Sequence, residues 1–212
     1  MTRSALRGLY PVTPDDFLLP RLSALVSMTL EGGARIIQYR NKTAPQPLRR
    51  SQAAELVRIC KAVGAKLIVN DDLALALEIG ADGVHLGKED MAGGDLKSAR
   101  EALGPQRILG VSCYNDMARA EAAAAARADY VAFGAMFSSF TKPKAAQASL
   151  SLITEAKARF GSQGMAIAAI GGITLDNAAD VIAAGADLVA VITDLFDAMD
   201  IASRAEAYQK LF

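Results

Sequence analysis

A chain of 212 residues with 23 basic and 23 acidic side chains has no net field to draw it as a whole to nucleic acid or an anionic membrane, so any anion it binds must be held locally. Its length suits one compact domain and lies near the short end for an α/β barrel. Cys60 and Cys113 have neither CxxC spacing nor a second pair, the first ten residues lack the apolar core of a signal peptide, and no uncharged apolar stretch is long enough to cross a bilayer, which speaks against a disulfide scaffold and leads to the expectation of a reduced, soluble, cytoplasmic protein.

Short β-rich apolar runs alternate with longer Ala/Leu-rich segments of helical period, the pattern of βα units repeated around a parallel sheet. The expected strands are residues 8–12, 35–39, 66–70, 83–86, 108–112, 130–134, 166–170 and 188–192. The helices between them are expected to start near Asp15, Gln46, Asp72, Gly94, Asp116, Ala148, Leu175 and Asp197. The same small-residue joint recurs before strands: Gly64 and Ala65 before Lys66, Gly80, Ala81 and Asp82 before Gly83, Ala128 and Asp129 before Tyr130, Gly185, Ala186 and Asp187 before Leu188. Glycine there stops a helix and alanine lets the chain pass closely under the sheet. Eight strands without a GxGxxG after the first favour a single-domain (β/α)8 TIM barrel over residues 1–212 rather than an open doubly wound sheet.

In a parallel barrel the reactive groups come from the C-terminal strand ends. The second run ends in Gln38, Tyr39, Arg40, Asn41 and Lys42. If the strand stays extended, Gln38, Arg40 and Lys42 share a face and two cations point together, with solvated surface charges as the plain alternative. The third run leads into Asn70, Asp71 and Asp72. Asp72 is better placed to cap the next helix, which leaves Asn70 and Asp71 at the mouth. The fourth run leads to Lys88, Glu89 and Asp90. Asp71 and Asp90, from neighbouring strand ends, suit Mg²⁺, which takes one or two carboxylates, keeps waters and completes its octahedron with phosphate oxygens.

His85, the only histidine, reads more readily as a packed, hydrogen-bonded barrel residue than as a catalyst. Cys113 has no imidazole near it in sequence and is not favoured as a nucleophile. Ser112 serves equally well as a ligand donor or as a turn residue. After the sixth run, Ser138, Ser139, Phe140, Thr141 and Lys142 form a hydroxyl-rich stretch that suits a diphosphate oxygen array; a merely solvated loop is the alternative. Gly171 and Gly172 end the seventh run ahead of a helix, where N–H groups and the dipole favour phosphate. Ile192 and Thr193 end the eighth run beside them, and loops seven and eight are the usual phosphate cradle of this fold. One anion site of cations and metal and another of amides point to a transferase with a diphosphate leaving group and a phosphorylated acceptor.

From Gly8 to Thr193 the chain resembles the thiamine phosphate synthase family, in the segments 38–42, 69–71, 80–90, 110–112, 141–142 and 169–173. The resemblance implies a transferase of thiamine biosynthesis that condenses 4-amino-2-methyl-5-(diphosphooxymethyl)pyrimidine with a thiazole phosphate to thiamine phosphate and diphosphate by a dissociative displacement. It implies that Gln38, Tyr39, Arg40, Asn41, Lys42, Asn70, Ser112 and Lys142 hold the pyrimidine diphosphate, while Asp71 and Asp90 hold the cofactor Mg²⁺. Ser139, Phe140, Thr141, Gly171 or Gly172, Ile192 and Thr193 would surround the thiazole phosphate, and Arg40, Lys42 and Lys142 would neutralise the leaving group. The implied partners are these small molecules, with no nucleic acid and no membrane, and a homodimer is the candidate assembly. Family members often carry Asp or Glu at Asn41, Gln at Lys88, a Pro-Thr pair at Ser138 and Ser139, and Arg at Asp72. The rival readings are a thiazole tautomerase-like isomerase, a phosphosugar isomerase or epimerase on the same fold, and a non-catalytic phosphate-ligand-binding barrel.

Overall fold

The alternation of the sequence is realised as eight parallel strands: β1 (Gly8–Pro11), β2 (Ile36–Tyr39), β3 (Lys66–Asn70), β4 (Gly83–Leu86), β5 (Ile108–Tyr114), β6 (Tyr130–Phe133), β7 (Ala166–Ile170) and β8 (Leu188–Val191). They come from a computed structural model that describes residues 6–87, 95–138 and 147–212. Each strand from β2 to β8 pairs with the next in sequence, and β8 pairs with β1. A single parallel bridge, Val12 to Gln38, closes the remaining seam between β1 and β2. The result is the expected (β/α)8 barrel, its strands interleaved with α1 (Leu19–Glu31), α2 (Gln46–Ala62), α3 (Leu73–Glu78), α4 (Leu96–Leu103), α5 (Met117–Ala125), α6 (Leu150–Phe160), α7 (Ala178–Ala183), α8 (Thr193–Phe196) and α9 (Ile201–Gln209). Among the described residues no helix is long and apolar enough to cross a membrane.

The two faces of each strand carry different jobs. Outward residues such as Leu9, Ile37, Leu67, Val84, Leu109, Val131, Ile167 and Val189 pack under the helices in one large apolar cluster. Inward residues form a second cluster that mixes Tyr10 and Tyr130 with Ala132, Ala166, Ala168 and Ala190. Large rings opposite small residues are how a narrow barrel fills its interior. Gly110 on β5 is part of this fit: a Cβ there would lie 2.0 Å from Cζ of Tyr130.

The repeated joints have a shared chemistry. Asp82, Asp129 and Asp187 each accept the N–H of the second residue of the preceding strand, Leu67, Leu109 and Ile167, at 2.8–2.9 Å. Each also pairs with a cation: Lys66 at 3.1 Å, Arg100 at 2.6 Å and Lys157 at 2.6 Å. Gly64 and Gly185 take the left-handed conformation that the joint needs, and Arg127 takes it before β6 at φ 57.

Several boundaries differ from expectation for local reasons. The first helix begins at Leu19 rather than Asp15, because Asp16 turns back to accept the Leu18 N–H at 2.7 Å and Asp15 is engaged elsewhere. Gly94 lies outside the described residues, and the helix expected there begins at Leu96 under the cap of Asp95. The helix expected from Leu175 starts at Ala178, since Asn177 Oδ1 accepts the Thr174 N–H and holds a turn ahead of it. The helix expected near Asp197 begins at Ile201 as α9, capped by Asp200, and a four-residue α8 that was not expected precedes it. β5 runs to Tyr114, two residues beyond the expected end, with a register shift between Ser112 and Tyr114.

Replacing Gly110 by Ala forces a methyl into the Tyr130 ring, and overpacking of this kind costs about 1–3 kcal/mol. Urea unfolding of Gly110→Ala is expected to show a lower midpoint by that amount with an unchanged m-value, and an unaltered midpoint would mean that the ring is not held as described.

Candidate active site

The C-terminal strand ends gather opposite charges from β2, β3 and the loop after β1. Arg40 Nη1 meets Asp15 Oδ1 at 3.0 Å, and the same oxygen accepts the Lys42 backbone N–H at 3.0 Å. The Lys42 ammonium lies 3.2 Å from Asp71 Oδ2. Asn70, Asp71, Asp72, Lys42 and Arg49 line a cleft of about 260 Å³ between these strand ends and the first turns of α2 and α3. Asp72 caps α3 as expected, accepting the Leu75 N–H at 2.9 Å, and its other oxygen lies 3.5 Å from Arg49. Asp71 holds a left-handed backbone, φ 63, with its N–H donated to the His85 carbonyl at 2.8 Å. A non-glycine residue in that region is conformationally costly, and such costs concentrate at functional sites.

The expected common face of Gln38, Arg40 and Lys42 does not form. β2 stops at Tyr39, so alternation turns Gln38 inward and Tyr39 outward but does not reach Lys42. Gln38 is buried inside the barrel, and its amide donates to the Tyr10 hydroxyl at 2.9 Å. The Tyr39 hydroxyl donates to Gln52 Oε1 at 2.8 Å on the outer side. Asn41 is buried in the loop, where its amide donates to the Asp16 carbonyl at 2.7 Å and its oxygen accepts the Ala44 N–H at 3.0 Å. The side chains of Gln38, Tyr39 and Asn41 therefore bind the protein itself, and Arg40 and Lys42 are left as the cations of this segment.

The strand ends expected to cradle a phosphate differ in geometry from the expectation. Gly171 and Gly172 adopt φ 100 and φ 64, and a Cβ on either would lie 2.7 Å from the chain after β6, at Ala135 or Phe137. They are glycines because that chain crosses over them, with the Phe137 N–H donated to the Gly171 carbonyl at 3.0 Å. The helix after them starts too late to offer its N-terminus there. Instead, α8 starts directly at Thr193, where β8 ends. The N–H groups of Leu195 and Phe196 return to the Ile192 carbonyl, while those of Gly171, Gly172 and Thr193 donate to no group among the described residues. The Asp194 carboxylate is drawn away by Arg204 at 3.1 Å and the Tyr208 hydroxyl at 2.6 Å. The short α8 was not expected from the sequence, and its N-cap falls on Ile192, which has no side chain able to cap it. Asp90, Ser139, Phe140, Thr141 and Lys142 lie outside the described residues.

A polar chain crosses the barrel interior. Gln38 Nε2 donates to the Tyr10 hydroxyl at 2.9 Å, which meets the Tyr130 hydroxyl at 2.6 Å. The Tyr130 hydroxyl lies 2.9 Å from His85 Nδ1, and His85 Nε2 lies 2.8 Å from Ser112 Oγ. His85 is thus the packed, hydrogen-bonded barrel residue expected, stacked on the Tyr130 ring at 5.5 Å between centroids. Nothing local in the sequence sets the hydroxyls of Tyr10 and Tyr130 beside a histidine, since the three residues lie on β1, β6 and β4. Burial pushes the His85 imidazole down to about 4, against the opposing pull of the Asp71 carboxylate. Burial likewise raises the Cys113 thiol to about 12, which removes it as a nucleophile.

The residues compare closely with proteins of one kind. A family model described as thiamine monophosphate synthase matches residues 9–195. A thiamine-phosphate synthase of Aromatoleum aromaticum is 53% identical over 212 residues, covering 100% of this chain and 99% of the relative. Another, of Methylobacillus flagellatus, is 50% identical over 215 residues with both chains covered at 100%. Among solved structures, a thiamine phosphate pyrophosphorylase of Pyrococcus furiosus is similar with a TM-score of 0.83 at 32% identity, over 98% of this chain and 96% of that one.

Because the folded pKa of His85 lies below the ordinary value of 6.5, the unfolded chain takes up the proton first as pH falls. Stability from this group is complete above pH 6.5 and is lost as pH falls toward 4, by about 2 kcal/mol between pH 6.5 and 5. An NMR titration of the only imidazole should show it neutral throughout that interval while the urea midpoint drops. A midpoint near pH 6.5 in the folded protein would contradict the burial.

Proposed function

The chain belongs to the thiamine monophosphate synthase family, and from that premise we propose that it condenses 4-amino-2-methyl-5-(diphosphooxymethyl)pyrimidine with a thiazole phosphate, releasing diphosphate and thiamine phosphate. As a member of that family it is a transferase of thiamine biosynthesis. The observation that carries the finer reading is the pairing of Lys42 with Asp71 beside Arg40, together with amides at Gly171, Gly172 and Thr193 that donate to no group among the described residues. Cations and a carboxylate suit a departing diphosphate. Amides suit a phosphate monoester used as a handle.

In this reading Arg40, Lys42 and Lys142 hold the diphosphate and compensate its charge as the carbon–oxygen bond breaks. Thr193 and the two glycines hold the thiazole phosphate so that the thiazole nitrogen can reach the electron-poor methylene carbon. No side-chain nucleophile takes part, in accord with the buried thiol of Cys113. Asp71 fits a magnesium ligand: its carboxylate is partly exposed at the mouth, beside Asn70, and Lys42 already holds a positive charge against it. Asp90 would supply the second carboxylate. Bound Mg²⁺ would neutralise charge on the leaving diphosphate.

Incubating the protein with both substrates and Mg²⁺ should yield thiamine phosphate by mass spectrometry, and no product with metal present would count against the synthase reading. Lys42→Ala is expected to lower the rate about 10²-fold or more with little change in melting temperature, since an exposed ion pair contributes about 0–1 kcal/mol. Asp71→Asn and Asp90→Asn should each remove most of the Mg²⁺-dependent rate, with the double variant little worse than the poorer single one. Multiplicative losses would separate the two carboxylates, and a metal-independent rate would favour the isomerase.

A further inference from the structure

The polar chain inside the barrel has a direction that hydrogen counting fixes. Gln38 turns an amide N–H to the Tyr10 oxygen, so the Tyr10 proton has one acceptor within reach, the Tyr130 oxygen. Tyr130 then gives its own proton to His85 Nδ1. A neutral imidazole carries one N–H, which must therefore sit on Nε2 and be donated to Ser112 Oγ. Ser112 keeps one hydrogen for which no acceptor is found among the described residues. Its side chain is partly exposed at the C-terminal end of the barrel, so that hydrogen faces the mouth. The five groups come from β2, β1, β6, β4 and β5 in turn, and buried polar groups of this kind are satisfied only as a complete set.

We infer that His85 is a positioning residue: the chain from Gln38 holds it in the Nε2–H form and thereby fixes the Ser112 hydroxyl as a donor to whatever occupies the mouth. The ligand atom over Ser112 is then an acceptor, an unprotonated ring nitrogen or a carbonyl oxygen, and an N–H at that point is rejected because two donors would face each other. For the identity of the ligand this rests on the aminopyrimidine reading above. For the direction of the chain it rests on the five side chains alone. A reversed Gln38 amide would reverse every donor in the series, so the tautomer of His85 reports the sense of the whole chain.

His85 is the only histidine, so ¹⁵N-histidine labelling gives one imidazole whose couplings to Hδ2 and Hε1 distinguish the two nitrogens. In the ligand-free wild type the proton is expected on Nε2, with Nδ1 shifted upfield by the Tyr130 hydrogen bond. Gln38→Glu replaces the donor by a carboxylate that accepts from Tyr10, which reverses each link and moves the proton to Nδ1. Tyr130→Phe removes the donor to Nδ1, whose resonance should move downfield while Nε2 stays protonated. Ser112→Ala should weaken binding of the aminopyrimidine diphosphate about 10-fold. A proton on Nδ1 in the wild type, a proton remaining on Nε2 in folded Gln38→Glu, or an unmoved Nδ1 in Tyr130→Phe would each overturn the inference. Should Gln38→Glu not fold, the wild type and Tyr130→Phe still decide it. Because the NMR readouts use no substrate, their failure is distinct from a failure to form thiamine phosphate.

Discussion

Between β1 and β2 the sheet has one backbone bridge, and a buried threonine completes the closure. The Thr13 N–H donates to the Gln38 carbonyl at 2.9 Å, and its hydroxyl both accepts the Arg40 N–H and donates to the Arg40 carbonyl, each at 2.8 Å. One side chain thus satisfies the polar groups that a longer β2 would have paired. Most of the candidate site depends on this seam. It sets Arg40 beside Asp15, starts the bend that carries Lys42 to Asp71, and brings Tyr10 next to Gln38 so that the interior chain begins. Asn41, Gln52 and the Asp16 carbonyl knot the loop behind it.

The same residue types do opposite work at the two ends of the barrel. At the N-terminal ends Asp82, Asp129 and Asp187 are each locked between a strand N–H and a cation, and the Arg100–Asp129 pair is nearly buried. In the nearly buried Arg100–Asp129 pair, removing one partner would strand the other charge in a poorly solvated place. At the C-terminal ends Asp71 and Lys42 meet in partial exposure, where an incoming diphosphate or metal can exchange with the partner at modest cost. Because all strands run in parallel, every joint falls at one end and every strand-end loop at the other.

The interior joins these ends with an unusual filling for a narrow barrel. Two tyrosines and a histidine occupy space that alanines and Gly110 leave open, and the hydroxyls and imidazole satisfy one another rather than water. The outer cluster bears the bulk of the apolar packing, which leaves the inner face free to carry polar groups toward the mouth. The left-handed Asp71 fits the same arrangement: its N–H holds the His85 carbonyl, so the carboxylate at the rim and the imidazole below it are fixed by one backbone contact.

The order and type of the strands, the barrel, and the caps at Asp72 and Asp116 were legible in the sequence, because these follow from local periodicity, glycine placement and short-range capping. Residues 38–42, Asp71, Ser112, Gly171 and Gly172 could be singled out from their places at strand ends. The partners that their side chains take come from tertiary contacts that strand position does not encode. Gln38, Tyr39 and Asn41 turn to Tyr10, Gln52 and Asp16, partners 28, 13 and 25 residues away in sequence, and the short α8 follows β8 directly. The interior chain was equally hidden, since Tyr10 and Tyr130 are separated by 120 residues. Their hydroxyls meet only because barrel closure brings opposite strands within a hydrogen bond's reach, a distance that no local pattern encodes.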